Sequence, residues 1–408
     1  MSFAASYAMM KPLVLTPDEE RMIVDEADRI IAETFEARRQ YVANNRELPR
    51  SEWKHVKSKE DLHVYRSTEK PTSSSRRERT GTPNNSSSQE ASAIEITTPI
   101  NLPLIVSTGT MAVTAEDSML GAMAHTESTW RHRCAIIKDE YDAMKILATI
   151  KAPTPDEPFN SILVKWESKR VGALSRVRDI VFVEVTALVP DDDGNQVAIH
   201  VVHSIDNIPR ITGLRHLDIV RLTVSTCWLG FRNDETSIEL FGRGFSDPGG
   251  NFAAAKGHNM IYPEMLLAAA LAVDCAHVRR LIWLMKIKRR EAGESVSLAS
   301  PSSSSHSSNS NSSASKNSNQ GVPASSSKAC GNCSESLTKI GSLIRSRIVC
   351  RACHEAICYK CSVEKSFPIE TSKGDVKLKQ LAFCLRCLLE AKQVSAHTVA
   401  LAILENHS

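Results

Sequence analysis

The sequence predicts an α+β protein in two folded parts: a large domain in which a curved antiparallel sheet grips a helix, and a small cysteine-held finger. Three observations predict it. A capped amphipathic helix opens the chain, β-branched runs joined by short turns fill the middle before a long closing helix, and the last eighty residues hold eight of the eleven cysteines as four C-x-x-C pairs. A chain of 408 residues is long enough for two folded units plus linkers.

The first helix begins at Thr16-Pro17-Asp18-Glu19, which supplies a cap residue, a first-turn proline and early acids. Ile23, Ala27, Ile30 and Ile31 follow at helical spacing. Val177 to Val189 and Gln196 to Ser204 are β-branched runs joined by the turn Pro190 to Asn195, and Arg221 to Leu229 and Thr236 to Phe241 repeat the pattern across Gly230 to Asp234. Such hairpins imply an antiparallel sheet. The closing helix runs from about Pro263 to Lys288, with Leu267, Leu271, Cys275, Val278, Ile282 and Met285 on one apolar face. Its end is crowded with Lys286, Lys288, Arg289 and Arg290, where positive charge suits the helix dipole.

Two low-complexity stretches divide the chain. Residues 72–92, rich in Ser, Arg and Asn, read as a disordered insert, and 292–327, mostly Ser and Asn, as a flexible linker. The expected domains are therefore 16–291, the linker 292–327, a finger at 328–392 and a tail at 393–408. A hydrophobic fraction of 42% and a charged fraction of 24% fit a soluble globular protein. A net charge of +3 gives no argument for nucleic acid. Met265 to Met285 is broken by Asp274, His277, Arg279 and Arg280, so it reads as a buried helix and not a bilayer span. The first ten residues lack the basic start of a secretion signal, so the expected compartment is the cytoplasm.

The four cysteine pairs are Cys330/Cys333, Cys350/Cys353, Cys358/Cys361 and Cys384/Cys387, separated by 16, 4 and 22 residues. Each pair supplies half of a tetrahedral thiolate site, so four pairs predict two closed Cys₄ zinc sites, two Zn²⁺ per chain, structural in role. Disulfides would need an oxidising compartment. Only four residues separate Cys353 from Cys358, too few for those two pairs to wrap one ion. The economical arrangement is a cross-brace. Cys330, Cys333, Cys358 and Cys361 would hold the first zinc; Cys350, Cys353, Cys384 and Cys387 would hold the second. Cys134, Cys227 and Cys275 stand apart and read as reduced core thiols.

RING and FYVE fingers share the cross-brace. RING fingers usually include a histidine ligand, and here all eight candidates are cysteine. The string Cys350-Arg351-Ala352-Cys353-His354-Glu355-Ala356-Ile357-Cys358-Tyr359-Lys360-Cys361-Ser362 resembles the FYVE core C-R-x-C-G-x-x-x-C-x-x-C-S. His354 stands at the family's glycine and reads as a loop residue. FYVE domains bind phosphatidylinositol 3-phosphate on endosomal membranes through R-R/K-H-H-C-R, which here reads Ser346-Arg347-Ile348-Val349-Cys350-Arg351. The resemblance thus implies headgroup contacts from Arg347 and Arg351, with Arg345 nearby, in a motif that lacks both histidines, the first basic residue and the upstream W-x-x-D element. It implies an anionic membrane or a partner protein as the finger's target, and peripheral attachment to endosomes.

The order helix, antiparallel sheet, closing helix resembles the START superfamily of lipid-transfer domains. Local strings agree: Ser51 to His55 leading into Leu62 to Tyr65, Gly109 to Asp117, and Arg176 to Phe182. The resemblance implies a helix-grip fold and a lipid or other hydrophobic ligand. No catalytic constellation stands out. His200 and His203 sit three apart on a strand, so alternation sends them to opposite faces. The glycines at 242, 244, 249 and 250 lack the strand-to-helix setting of a phosphate loop. Trp53, Trp130, Trp166, Trp228 and Trp283 read as core or pocket-lining residues. Two classes stand: a non-enzymatic lipid-binding adaptor, and a protein-binding or RING-like ubiquitin-ligase finger.

Overall fold

Thr16 starts α1 (Pro17–Ala43) with a reciprocal cap: its hydroxyl accepts from the Glu19 amide while the Glu19 carboxylate accepts from the Thr16 amide. The computed structural model describes residues 10–68, 103–170, 176–205, 208, 211, 213–249, 272–292, 328–337, 348–371 and 375–405. The expected insert at 72–92, all but the first residue of the expected linker, and the start of the closing helix from Pro263 to Leu271 lie outside them.

The large unit is built on one antiparallel sheet with the strand order β1-β2-β3-β10-β9-β7-β6-β5-β4. Its strands are β1 (Trp53–Lys59), β2 (Leu62–Ser67), β3 (Ile105–Met111), β4 (Ala143–Lys151), β5 (Ser161–Arg170), β6 (Val177–Pro190), β7 (Gln196–Ser204), β9 (Thr223–Arg232) and β10 (Ile238–Asp247). The two-residue β8 (Val220–Arg221) adds a short parallel pairing to β6. Two short helices, α2 (Ala115–Ala122) and α3 (Glu127–Ile137), follow β3, each capped by a threonine. This is the helix-grip architecture expected from the sequence.

Alternation along the strands gives the sheet two different faces. One face presents Val181, Val183 and Val185 of β6, Val197, Ile199 and Val201 of β7, and Cys227 and Leu229 of β9. These close on Ile23, Ala27 and Ile30 of α1 in a single apolar core. Ion pairs fasten the rim of α1: Arg38 to Glu239 at 2.6 Å and Arg243 to Glu33 at 3.4 Å. α2 packs beside β6, β7 and β9.

The hairpin β6–β7 turns at the expected Pro190 to Asn195, where Asp191 Oδ1 accepts from the amides of Asp193 and Asn195. The second hairpin turns later than expected. Gly230 and Phe231 stay in the β9 ladder, opposite Leu240 and Glu239, and the turn falls at Asn233 to Ser237 around the Asp234 carboxylate. Gly230 serves packing: a Cβ there would stand 2.8 Å from Ile238 Cδ1.

The chain divides into two compact units, Met1–Ala276 with Ile403–Ser408, and His277–Ala402. Most of the closing helix α4 (Ala272–Glu291) therefore groups with the finger, whereas the sequence placed its whole length in the large domain. Within that smaller unit Arg280 Nε donates to Val394 O at 2.8 Å, and Lys288 pairs with Glu390 at 2.9 Å. The buried stripe of α4 is Cys275, Val278, Leu281 and Leu284, with Arg279 and Arg280 beside it, while Ile282 and Met285 are half-buried. The finger contains β11 (Ile348–Val349), β12 (Ala356–Ile357), the hairpin β13 (Ser362–Glu370) and β14 (Val376–Cys384), and α5 (Leu385–Gln393). Residues 396–405, read from sequence as tail, form α6 (Ala396–Glu405), whose first turn is tied down by Ser395 Oγ accepting from the Thr398 amide at 3.0 Å. No single helix among the described residues is long and apolar enough to cross a membrane.

Candidate functional site

The eight cysteines meet in two groups of four. Cys330, Cys333, Cys358 and Cys361 form one and Cys350, Cys353, Cys384 and Cys387 the other, with the sulfurs of each group within 4.8 Å of one another. Cys333 and Cys358 sulfurs are 3.7 Å apart, and Cys353 and Cys384 sulfurs 3.9 Å apart. A tetrahedral zinc with bonds of about 2.3 Å needs its sulfurs roughly 3.7 Å apart, so the donor sets fit the ion.

The first pair of each site sits in the same backbone loop. Cys330 N donates to Glu335 O and Ser334 N returns to Cys330 O; Cys350 N donates to Glu355 O and His354 N returns to Cys350 O. Ser334 and His354 take the matching left-handed position, at φ 61° and 59°. That explains His354: it stands in a conformation that favours glycine, and it is a loop residue as the sequence implied.

Amide donors point at the sulfurs. Cys330 Sγ accepts from the amides of Asn332 at 3.4 Å and Cys358 at 3.3 Å, and Cys350 Sγ accepts from Cys384 N at 3.3 Å. Cys384 caps α5, its sulfur accepting from Cys387 N at 3.4 Å. Burial works against charge on Cys330, but the amides of Cys333, Cys358 and Asn332 outweigh it and bring the thiol down to about 6. Thiolates are the metal-binding form, and the amides aimed at Cys330 and Cys350 favour it. Bound zinc would supply structural cross-linking, since four protein sulfurs leave no open position for substrate.

Of the expected headgroup residues, Arg345 and Arg347 lie outside the described residues. Arg351 is half-buried, and its Nε is buried with no hydrogen-bond partner among them. Burial, then the nearby Arg289 of α4, lowers its pKa.

The second face of the large sheet carries a polar cluster that sequence reasoning missed. The face reads Ser107, Gly242, Trp228, His200, Thr186 and Ser161 across β3, β10, β9, β7, β6 and β5, one residue opposite the next. One step along β6, the Glu184 carboxylate takes three partners. Arg133 Nη2 lies 2.7 Å away, His200 Nε2 3.0 Å away, and Lys165 Nζ in direct contact. Lys165 is 0% exposed. Its ammonium also donates to Ala124 O at 2.7 Å and lies 4.6 Å from the Trp130 ring centroid, and Arg133 Nη1 donates to Ala122 O at 2.6 Å. Burial pushes Lys165 down to about 8 despite Glu184. Burial raises Glu184, but Arg133, Lys165 and the His200 bond outweigh it and hold the carboxyl well below its usual range. The visible signal was a lone charge inside each of two apolar runs, Lys165 in Ile162 to Trp166 and Glu184 in Ile180 to Val189. His200 and His203 face opposite sides as alternation requires: His203 joins Ser225 at 2.9 Å and Glu26 of α1 at 3.0 Å. Cys134, Cys227 and Cys275 are buried, and burial raises the Cys227 thiol to about 12.

Comparison with solved structures returns proteins described as StAR-related. Human StAR-related lipid transfer protein 5 aligns over 63% of this chain and 97% of its own, at 12% identity and a TM-score of 0.39. Human STARD10 aligns over 60% and 81%, at 15% identity and a TM-score of 0.35. The Zhui aromatase/cyclase from Streptomyces sp. R1128 aligns over 48% and 99%, at 13% identity and a TM-score of 0.26. Likeness at this level carries no argument about ligand or activity, and the fold class rests on the sheet topology itself. No protein-family model matches the sequence, and no curated protein does.

Two measurements check these sites. Metal analysis of the folded chain is expected to give two zinc ions, and His354→Gly is expected to keep both while shifting stability by less than about 1 kcal/mol, since glycine suits the left-handed position. A zinc lost from His354→Gly would show the imidazole to be a ligand. Glu184→Gln is expected to destabilise the large unit by about 3–5 kcal/mol in chemical denaturation, because buried Arg133 would keep its charge without a counter-ion and Lys165, already pushed down by burial, would have to give up its proton. A carboxyl whose folded pKa is depressed contributes stability that is present above its unfolded value of 4.5 and lost as pH falls through the folded value. The acid limb of the stability curve should therefore flatten in the variant.

Proposed function

We propose that the protein is a non-enzymatic lipid-binding adaptor: a START-like domain holds a hydrophobic ligand, and a FYVE-like two-zinc finger docks the chain on a membrane or partner protein. The observation that carries this reading is the contrast between the sheet's two faces. α1 closes one face over an apolar core, with the His203–Glu26 pair alongside, while the other carries polar side chains on β3, β9, β7, β6 and β5. A hydrophobic site usually pairs an apolar lining with a few fixed polar groups that orient the ligand. The closed Cys₄ groups support an architectural part for the finger.

The protein's place is the cytoplasm, with peripheral attachment to endosomal membranes. The finger binds phosphatidylinositol 3-phosphate weakly by itself. Ile348 and Val349 replace two histidines and Ser346 replaces a basic residue, so several charge-assisted hydrogen bonds are missing. Each is worth about 1.5–3 kcal/mol, and about 1.4 kcal/mol is tenfold in affinity. Arg351, with the basic end of α4 nearby, supplies attraction to anionic lipid that salt screens.

Native mass spectrometry of the chain purified from membrane-containing lysate is expected to show a co-purifying lipid at about one per chain; a protein that stays ligand-free when offered mixed lipid vesicles would refute the lipid reading. For the finger, liposome sedimentation at physiological salt is expected to show little specific binding to phosphatidylinositol 3-phosphate. The triple variant Ser346→Arg, Ile348→His, Val349→His should gain it. Specific sedimentation of the unaltered protein would instead mean that its arginines suffice.

A further inference from the structure

The outermost hairpin of the large sheet brings two histidines together at an exposed edge. His55 of β1 and His63 of β2 have ring centroids 6.2 Å apart. His55 Nε2 stands 2.7 Å from Ser58 Oγ, and His63 Nδ1 stands 2.7 Å from the same oxygen. A serine hydroxyl has one proton, so it donates to no more than one of these nitrogens. Two ring nitrogens from adjoining strands thus aim at a single point.

A bulge makes the convergence possible. His55 pairs with Tyr65 and Ser58 with His63, but the register shifts between His55 and Lys57, where Val56 is the extra residue. Side chains three apart on a regular strand point to opposite faces. The added residue returns Ser58 to the face of His55, beside His63. Lys54, Lys57 and Lys59 pair with Arg66, Val64 and Leu62, so they take the other face and keep their charge off the histidine side. Tyr65 braces His55 edge to face, with centroids 5.5 Å apart. β1 is the end strand of the sheet, His55 and Ser58 are exposed and His63 is half-buried, so the point is open to solvent.

We infer that His55 and His63 form a bidentate site for a divalent transition-metal ion of the kind imidazole favours, such as Zn²⁺, Ni²⁺ or Cu²⁺. The site is separate from both cysteine groups and independent of lipid binding. An imidazole–metal bond is about 2.0–2.1 Å long, so an ion at the position of Ser58 Oγ asks each ring to close in by only about 0.6 Å. Ser58 is exposed and turns aside to admit it, giving up two ordinary hydrogen bonds for two metal–nitrogen bonds. Mg²⁺ and Ca²⁺ want oxygen ligands and are excluded by the same donors. Two protein ligands leave the other positions to water or to a donor from another molecule, and the bound ion ties the edge strand to β2.

The test uses the full chain purified with zinc and titrates Ni²⁺ into it by calorimetry, while a chromogenic chelator counts any zinc displaced from the cysteines. One nickel per chain is expected beyond that exchange, and Mg²⁺ should give no binding. His55→Ala and His63→Ala should each weaken nickel by roughly tenfold or more, because one imidazole alone cannot chelate. The double variant should be no more than about twofold weaker than either single one, since the ligands of one ion are lost together. Ser58→Ala should bind nickel as tightly as the unaltered chain or up to about fivefold tighter, having no hydrogen bonds to break. His55→Ala alters an exposed side chain, and its metal-free melting temperature, expected unchanged, verifies that it folds. Where His63→Ala lowers the folded fraction, His55→Ala and Ser58→Ala decide the matter. Nickel binding that is absent from the unaltered chain, unchanged in His55→Ala, or lost additively in the double variant overturns the inference.

Discussion

Glu184 is the constraint around which the large unit is organised. A carboxylate sealed under a sheet would cost several kcal/mol if left alone, and the fold answers with Lys165 from β5, Arg133 from α3 and His200 from β7. Each partner binds one further element. Arg133 and Lys165 donate to the carbonyls of Ala122 and Ala124, at the end of α2 and just beyond it. One anion thus fixes three strands and the α2–α3 connection in a single arrangement. Shifting β6 by one residue would send Glu184 into the apolar core under α1, so the cluster also pins the register.

The finger solves a different problem by a different means. Its apolar core is small: Phe367 and Phe383 stack at 5.1 Å, with Ala352, Ile357 and Leu388 among its other buried residues. A core of that size needs covalent or metal cross-links to be stable. The two knuckle loops repeat the same hydrogen bonds and the same left-handed residue, so each places two sulfurs for one metal site without help from the other. Near the second site Lys288 of α4 loses something to burial, but Glu390 and the thiols of Cys387 and Cys353 outweigh it and raise its pKa. A four-thiolate zinc site carries net negative charge, and the basic end of α4 offsets it within the same compact unit.

What the sequence made legible follows from how local the determining physics is. Metal ligation sets cysteine spacing over a few residues, so the pairing of Cys330 and Cys333 with Cys358 and Cys361 could be read from gap lengths alone. The turn at Asp191 is equally local, since one side chain bonds amides two and four residues on. Gly230 misled because glycine marks turns and also marks close approaches, and here the approach is to Ile238 and Ala198. The Glu184 cluster joins residues 133, 165, 184 and 200, and nothing local ties them before the register of β5, β6 and β7 is known. α6 was missed although Ser395 and Thr398 carry a cap pattern, because an apolar run at a chain end gives no sign of what covers it.

The same sheet face holds two kinds of buried polar group, and they differ in what holds them. Around Glu184 each charged group has its partner, so the cluster has nothing left to offer a ligand and serves to hold strands and the His200 ring. Beside it, Ser107 and Trp228 are neutral and unpaired. Neutral donors left unpaired cost the fold less than a lone charge would, and the His200 ring, stacked on Trp228 and held by Glu184, keeps the indole in place.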